Sequence, residues 1–375
     1  MNPRLVLLHD ESSVKGNIKL KRHGNIYAKI YSMENLKEAH RNARKDKLFY
    51  KEVKMVDSDP DHYLGLIHRM LKDKTYKVSE YTISVINDKG KERELAKLPY
   101  FPDRIIQWAI MLQIEPIFME VFCDHTCASI ENRGISHAQK LLNKYLKDEK
   151  NTQFCLKMDI SKFYPNVDHD ILKELLKRKF KDTDLLNLLF QIIDSSPHEK
   201  GVPIGSYLSQ YLANFYLAYF DHWIKEVLGV KYVVRYMDDI IILHESSEFL
   251  HKVKNMMDDY LEHNLKLKIK DNWQIFPVES RGIDFVGFRK FHNFTLLRKK
   301  TAKRFKRRMV RIWKKTKGGN LMNYSEWCSV NSYRGWLNLC DGFRLYTKYI
   351  LPLEDAVLRY YKLVIESRKV KVKMA

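Results

Sequence analysis

The chain of 375 residues reads as an α+β protein with an antiparallel sheet at its centre. Three observations carry that class. Helical spacing of apolar residues dominates the N-terminal part, short β-branched runs occur in pairs around tight polar turns, and helices stand between those pairs. With 45% hydrophobic residues the chain can bury a sizeable core, and its length suits one to three domains of ~150 residues each.

The elements follow in order. Met33, Leu36 and Ala39 to Ala43, then Leu64, Ile67 and Leu71 after the polar "DSDPD" turn, predict helix across residues 33–72. "YTISVI" alternates as a strand, and "NDKGKERE" follows as a polar turn. Between Asp103 and Lys147, the spacing of Ile106, Ile110, Leu112, Ile117 and Val121, and of Leu141, Leu142 and Tyr145, predicts helices broken by the loop "ENRG". "FCLKMD" is a buried strand ending near Asp159, followed by an irregular turn and a helix that Asp168 caps. A helix over 206–228 packs through Tyr207, Tyr211 and Phe215 and through Leu208 and Leu212. "YVVRYMDDIIILH" is then a hairpin with Asp238 and Asp239 at its tip; an amphipathic helix follows around 247–265, and "GIDFVGFRKF" is strand, Gly turn, strand. Between Arg289 and Lys317 stand fourteen Lys or Arg and no Asp or Glu, while Phe305, Met309, Ile312 and Trp313 keep an apolar stripe. That pattern predicts an amphipathic helix with a basic outer face, with Trp327, Tyr333, Trp336 and Leu337 packing a last helical segment.

Charge narrows the partner. Lys plus Arg number 67 against 46 Asp plus Glu, a formal charge of +21, with 22 Tyr and 18 Phe mixed in. A positive field concentrates polyanions and aromatic faces stack bases, so nucleic acid is the expected partner. A merely solvated helix face mixes signs, which the stretch 289–317 does not. No run approaches the ~20 apolar residues of a membrane span and the N-terminal apolar run is too short for a secretion signal, so a cytoplasmic protein without a membrane partner is expected. Five scattered cysteines fit reduced thiols. Cys123, His125 and Cys127 lack a second pair at ligand spacing, which argues against zinc.

The Asp238–Asp239 pair has an ordinary explanation as a solvated turn, and a chemical one. Asp159 closes one predicted strand, and the hairpin tip can lie beside it in the same sheet. Three carboxylates brought together repel unless cations neutralise them. Oxygen-only ligation suits Mg²⁺, with Mn²⁺ as a substitute, and two such ions ~4 Å apart can activate a hydroxyl and stabilise the leaving oxygen of an in-line phosphoryl displacement.

Several motifs then point to one family. "VRYMDDIIIL" resembles the Tyr-x-Asp-Asp box of reverse transcriptases, "LKMDISKFYPNVD" their first palm motif, and "GVPIGSYLSQYLANFYL" their Gly turn and following helix, in the family's order. "ENLKEAHRNARKDK", "KERELAKLPYFPDRIIQWAI" and "SIENRGISHAQ" resemble the fingers of bacterial members, and "RGIDFVGFRKF" the primer-grip hairpin, so the resemblance spans roughly residues 34–310. It implies a right-hand polymerase: N-terminal helices and fingers over 1–150, a palm of antiparallel sheet and helices over 151–288, and a basic helical thumb over 289–375.

Residue by residue, the resemblance implies metal held by Asp159, Asp238 and the backbone carbonyl of Ile160, with Asp239 as the third acidic residue. It places Arg93 at the incoming triphosphate and Tyr164 at the steric gate against a 2′ hydroxyl; Tyr164 also fits as an aromatic packed at a strand-to-helix turn. It sets Ile204, Gly205 and Gln210 along the nascent base pair, Gly205 allowing close backbone approach. The Ile-Gly-x-x-x-Ser-Gln pattern departs from the common Gln-Gly and Ser-Pro, and resembles the enzymes of diversity-generating retroelements and defence-associated relatives. Ile204 in place of an amide donor implies weaker base discrimination. Where the family carries a Lys after the Asp pair, Asn272 and Trp273 stand, with Lys268 and Lys270 nearby; Asn87 replaces the first Lys of the finger turn. About sixty residues follow the basic helix, too few for a nuclease domain, so copying of RNA without its degradation is expected. The implied substrates are an RNA template, a DNA primer and dNTPs, with a structured non-coding RNA and an accessory protein as further partners, in a retroelement or an antiviral locus. Template-independent or Tyr-primed synthesis, and a catalytically retired RNA-binding scaffold, are the alternatives.

Overall fold

The computed structural model describes residues 21–88, 91–203 and 206–373. It is α+β, as the patterning predicts. Nine strands β1 (Thr82–Asp88), β2 (Lys91–Lys97), β3 (Phe154–Asp159), β4 (Tyr232–Tyr236), β5 (Asp239–His244), β6 (Gln274–Pro277), β7 (Ile283–Phe285), β8 (Phe288–Lys290) and β9 (Thr295–Leu297) form three sheets among the described residues. The central one has the order β4-β5-β3-β6; β1 pairs with β2, and β7-β8-β9 is an antiparallel meander. The chain divides into two compact units, Met1–Gly134 with Lys157–Ile242 and Glu248–Gln274, and Ile135–Leu156 with Leu243–Ser247 and Ile275–Ala375.

In the first unit the helices Met33–Ala43, Lys51–Ser58, Pro60–Lys72 and Ile105–Met119 follow the apolar spacing. Leu36, Ala39, Leu64, Ile67, Ile106 and Ile110 are all fully buried. Four of the five residues of "DSDPD" are helical rather than a turn. Asp59 accepts from the His62 amide at 3.1 Å and Pro60 opens the next helix, so the break costs only the one capping residue. The predicted turn "NDKGKERE" is corrected more fully. Lys91–Lys97 is strand β2, in register with β1 from Asp88↔Lys91 to Thr82↔Lys97. Alternating charges give no apolar period, because this two-stranded ribbon buries little: Val85 is 64% exposed.

The helix expected over 206–228 is two, Tyr207–Tyr216 and Ala218–Glu226, divided at Leu217. Neither Gly nor Pro marks the break. Asn214 before it and Asp221 after it both accept from Arg235. The helices His169–Lys179 and Ser247–Leu265 stand where expected, and the Asp168 side chain accepts from the Ile171 amide at 3.1 Å.

In the second unit the basic helix is Lys299–Thr316, starting later than Arg289 because residues 289–297 belong to β8 and β9 and their connection. Phe305, Met309 and Ile312 are buried with Phe288, Val330, Leu337 and Leu353, and Trp327, Tyr333 and Trp336 pack against them. Gly287, at φ +94°, lies where a Cβ would meet the Trp336 ring at 2.5 Å, so the turn between β7 and β8 admits only glycine.

Candidate active site

The site forms where β3 ends and β5 begins. Leu156 and Met158 bury one side of β3; on the other, Cys155 is buried while Lys157 and Asp159 stay partly exposed. The Ile160 amide donates to the Asp238 carbonyl at 3.0 Å, and the Lys270 amide to the Asp159 carbonyl at 2.8 Å. These backbone bonds fix the two aspartates side by side although 79 positions separate them in the chain.

Their carboxylates share one cation. Lys270 Nζ lies 3.8 Å from Asp159 Oδ1 and 3.6 Å from Asp238 Oδ2. Burial pushes the Asp238 carboxyl above its ordinary value; its own backbone amide and Lys270 pull it down, and Asp159 adds to the rise. Asp239, the first residue of β5, meets Lys157 Nζ at 3.8 Å. The predicted acids therefore form a pair against Lys270 with Asp239 beside it against Lys157.

Among the described residues no three His, Cys, Asp or Glu side chains form a complete metal shell. Two carboxylates beside one ammonium nevertheless suit Mg²⁺, which binds through one or two carboxylates and takes its remaining ligands from water and substrate phosphates. The Lys270 ammonium sits where such an ion's charge would be needed.

The hairpin tip is held from beneath by a buried network. Arg235, fully buried, donates to Asp221 Oδ1 at 2.8 Å through Nε, to Asn214 Oδ1 at 3.2 Å and to the Met237 carbonyl at 3.2 Å. Thr126 Oγ1 donates to Asp221 Oδ2 at 2.8 Å, and His125 Nε2 stands 3.6 Å from Oδ1. Burial pushes the Asp221 carboxyl up, but Arg235 and then His125 override it and hold it well below the usual carboxylate range. Met237, just before Asp238, has φ +55°, and its carbonyl is anchored by this guanidinium.

Tyr164 stands beside the pair. Its hydroxyl donates to Met237 Sδ at 3.5 Å, and burial, then the charge of Asp238, push the phenol up to about 12. The turn carrying it is braced by Gly201, whose amide donates to the Val167 carbonyl at 2.7 Å, while the Val202 amide donates to the Tyr164 carbonyl at 3.0 Å. Gly201 has φ +94°, and a Cβ there would meet Pro165 Cα at 2.9 Å. Ile204, Gly205 and the Arg93 side chain lie outside the described residues; the Arg93 backbone pairs opposite Ile86 in the β1–β2 ribbon. Gln210 is half-buried on the helix Tyr207–Tyr216, whose N-cap Ser206 donates to Gln107 Oε1 at 2.6 Å.

Three contributors escape sequence reasoning in part or whole. Lys270 is one of two lysines near the expected place, and the alternation of "LKLKIK" does not separate them; in the fold Lys266 pairs with Asp168 and Lys268 with Glu262, leaving Lys270 to the aspartates. Arg235 and Gln107 carry no signal beyond being polar residues in apolar runs.

The family model described as reverse transcriptase (RNA-dependent DNA polymerase) matches residues 84–289. Protein YkfC of Escherichia coli (strain K12) is 24% identical, covering 53% of this chain, which spans 63% of that protein's length. The group II intron-encoded protein LtrA of Lactococcus lactis subsp. cremoris is 29% identical over 183 residues, 46% of this chain and 30% of that protein. Among solved structures, telomerase from Candida albicans in complex with a telomeric RNA fragment gives a TM-score of 0.47 at 11% identity, covering 78% of this chain and 61% of that one. Apo telomerase from Candida tropicalis gives 0.45 at 12%, covering 80% and 59%. The family match covers more than half of the chain, including β3, the Asp238–Asp239 hairpin and the lysine between them: this protein belongs to the reverse transcriptase family.

Proposed function

We propose that the chain is an RNA-directed DNA polymerase that extends a DNA primer on an RNA template by nucleotidyl transfer at Asp159 and Asp238. The observation that carries this is the convergence of those two carboxylates, from strands far apart in sequence, on the single ammonium of Lys270. A retired scaffold has no need to hold two acids together at the cost of a raised carboxyl on Asp238.

Asp159, Asp238 and the Ile160 carbonyl would hold Mg²⁺, with Asp239 flanking and Mn²⁺ as a substitute. When bound, the ions supply charge stabilisation at the attacking and leaving oxygens. The chain's own residues do the positioning. Arg235 fixes the Met237 carbonyl and so the tip that presents Asp238. Lys270 offsets the charge of both acids. Tyr164, beside Met237, sets a ring where a ribose 2′ hydroxyl would clash. Arg93 on the β1–β2 ribbon grips the triphosphate, and Ile204, Gly205 and Gln210 border the nascent pair, Ile204 without an amide to test base identity.

The three regions 1–150, 151–288 and 289–375 act as fingers, palm and thumb, the basic helix Lys299–Thr316 lying along the nucleic-acid backbone. A structured non-coding RNA with an accessory protein fits the formal charge of +21, in a retroelement or an antiviral locus. No helix among the described residues is long and apolar enough to cross a membrane.

The test is extension of a labelled primer annealed to RNA, with Mg²⁺ and dNTPs. Template-dependent products that vanish when Asp238→Asn replaces the wild type support the proposal. Equal labelling without template points instead to template-independent synthesis, and no labelling at all to a scaffold.

A further inference from the structure

One flank of the basic helix is not basic. Val310 and Trp313, i and i+3 neighbours on that helix, are 38% and 37% exposed, beside the buried stripe of Phe305, Met309 and Ile312. With Met309, Lys348, Tyr349 and Pro352 they line a pocket of about 270 Å³, near the lower end of the ~300–1,000 Å³ of small-ligand sites. No acidic residue lines it. Each of its two rings is faced by ammonium groups: Lys317 Nζ stands 5.1 Å from the Trp313 ring centre, and Lys306 and Lys348 stand 5.9 and 5.8 Å from that of Tyr349.

We propose that this pocket seats unpaired bases of an RNA strand, stacked on Trp313 and Tyr349, with Lys306, Lys317 and Lys348 taking the adjoining phosphates. The chemistry is that of single-strand binding, in which a cationic track follows the backbone and aromatic faces accept bases of any sequence. In the free protein the lysines rest over the rings, a weak arrangement at exposed sites. A strand exchanges both partners at once, giving each ring a base and each ammonium a phosphate. A second copy of the chain is disfavoured as occupant, because each copy carries a formal charge of +21 and this pocket is rimmed by lysine. RNA rather than DNA follows from the proposed function, on which this inference rests: the template is unpaired before it is copied, whereas the product is made within a duplex.

The experiment measures binding of the full chain to a labelled oligo(A) RNA of about twelve nucleotides and to an RNA–DNA duplex of equal length. Trp313→Ala removes a stacking face, and Val310→Glu sets a carboxylate at the lip without touching the buried stripe. Each is expected to weaken single-strand binding roughly ten- to hundredfold and duplex binding by less than about threefold, with the melting temperature little changed. Arg311→Ala, elsewhere on the helix, is expected to weaken both ligands alike. The inference is overturned if the two ligands lose affinity in equal proportion, if neither does, or if the wild type is a dimer that Val310→Glu dissociates. Binding needs no catalysis, so failure of primer extension would remove the polymerase reading while the single-strand to duplex ratio still decides this one.

Discussion

Asp238 carries a conflict between stability and use. Its carboxyl is raised by burial and by Asp159, so the ionised form that the proposed Mg²⁺ would need is disfavoured in the folded protein. The sign of the pH effect follows. Below the ordinary carboxylate value, near pH ~4, both folded and unfolded chains are protonated there and nothing is lost; as pH rises through the raised value, stability falls. Asp238→Asn is therefore expected to melt above the wild type at neutral pH, with the gap closing towards pH ~4, and to lose the rise in melting temperature that Mg²⁺ gives the wild type. Lys270→Met should do the reverse in chelator, melting below the wild type and recovering with Mg²⁺, because Asp159 and Asp238 then lack their shared cation. Thermal scans across pH with and without Mg²⁺ check both. Tyr164→Ala is expected to raise incorporation of ribonucleotides by roughly one to two orders of magnitude relative to deoxynucleotides, measured as the ratio of their kcat/KM values. The aspartates were legible because like charges between apolar runs are rare and demand a reason. Lys270 was not, since only the fold shows which of three alternating lysines turns to the acids and which to Asp168 and Glu262.

The β4–β5 hairpin is stiffened by Arg235, whose guanidinium joins Asp221, Asn214 and the Met237 carbonyl. Removing one partner of a fully buried pair strands the other's charge, so Arg235→Met is expected to cost about 3–5 kcal/mol in urea unfolding, and Asp221→Asn with Arg235→Met together less than the sum of the two singles. Local patterning read β3, the hairpin and the helix Ser247–Leu265 correctly, because the strands are short buried runs that end at polar turns and the helix keeps an apolar period. It missed β2, whose alternating charges carry no apolar signal, and β6, a four-residue strand with only Phe276 buried. The break at Leu217 was equally invisible, because no Gly or Pro stands there.

The charge of the protein as a whole acts at longer range. A formal +21, with fourteen cations and no acid over 289–317, makes the proposed association with RNA steeply salt-dependent. Replacing two solvent-facing cations of the basic helix, Lys303 and Arg307, with Ala should lower the log–log salt slope by about 1 per lost phosphate contact, while leaving sequence preference unchanged. Composition points to a polyanionic partner, whereas any choice among RNA substrates would reside in surfaces that no periodicity encodes. The account as a whole stands on a divalent ion shared by Asp159 and Asp238, and replacing Mg²⁺ with Fe²⁺ in the presence of ascorbate and peroxide reports it directly. Radicals formed at the bound iron should cut the backbone within a few residues of Asp159 and of Asp238, with the cuts suppressed by excess Mg²⁺ and lost in Asp159→Asn and Asp238→Asn. Cuts confined to other segments, or undiminished in both variants, would contradict the account.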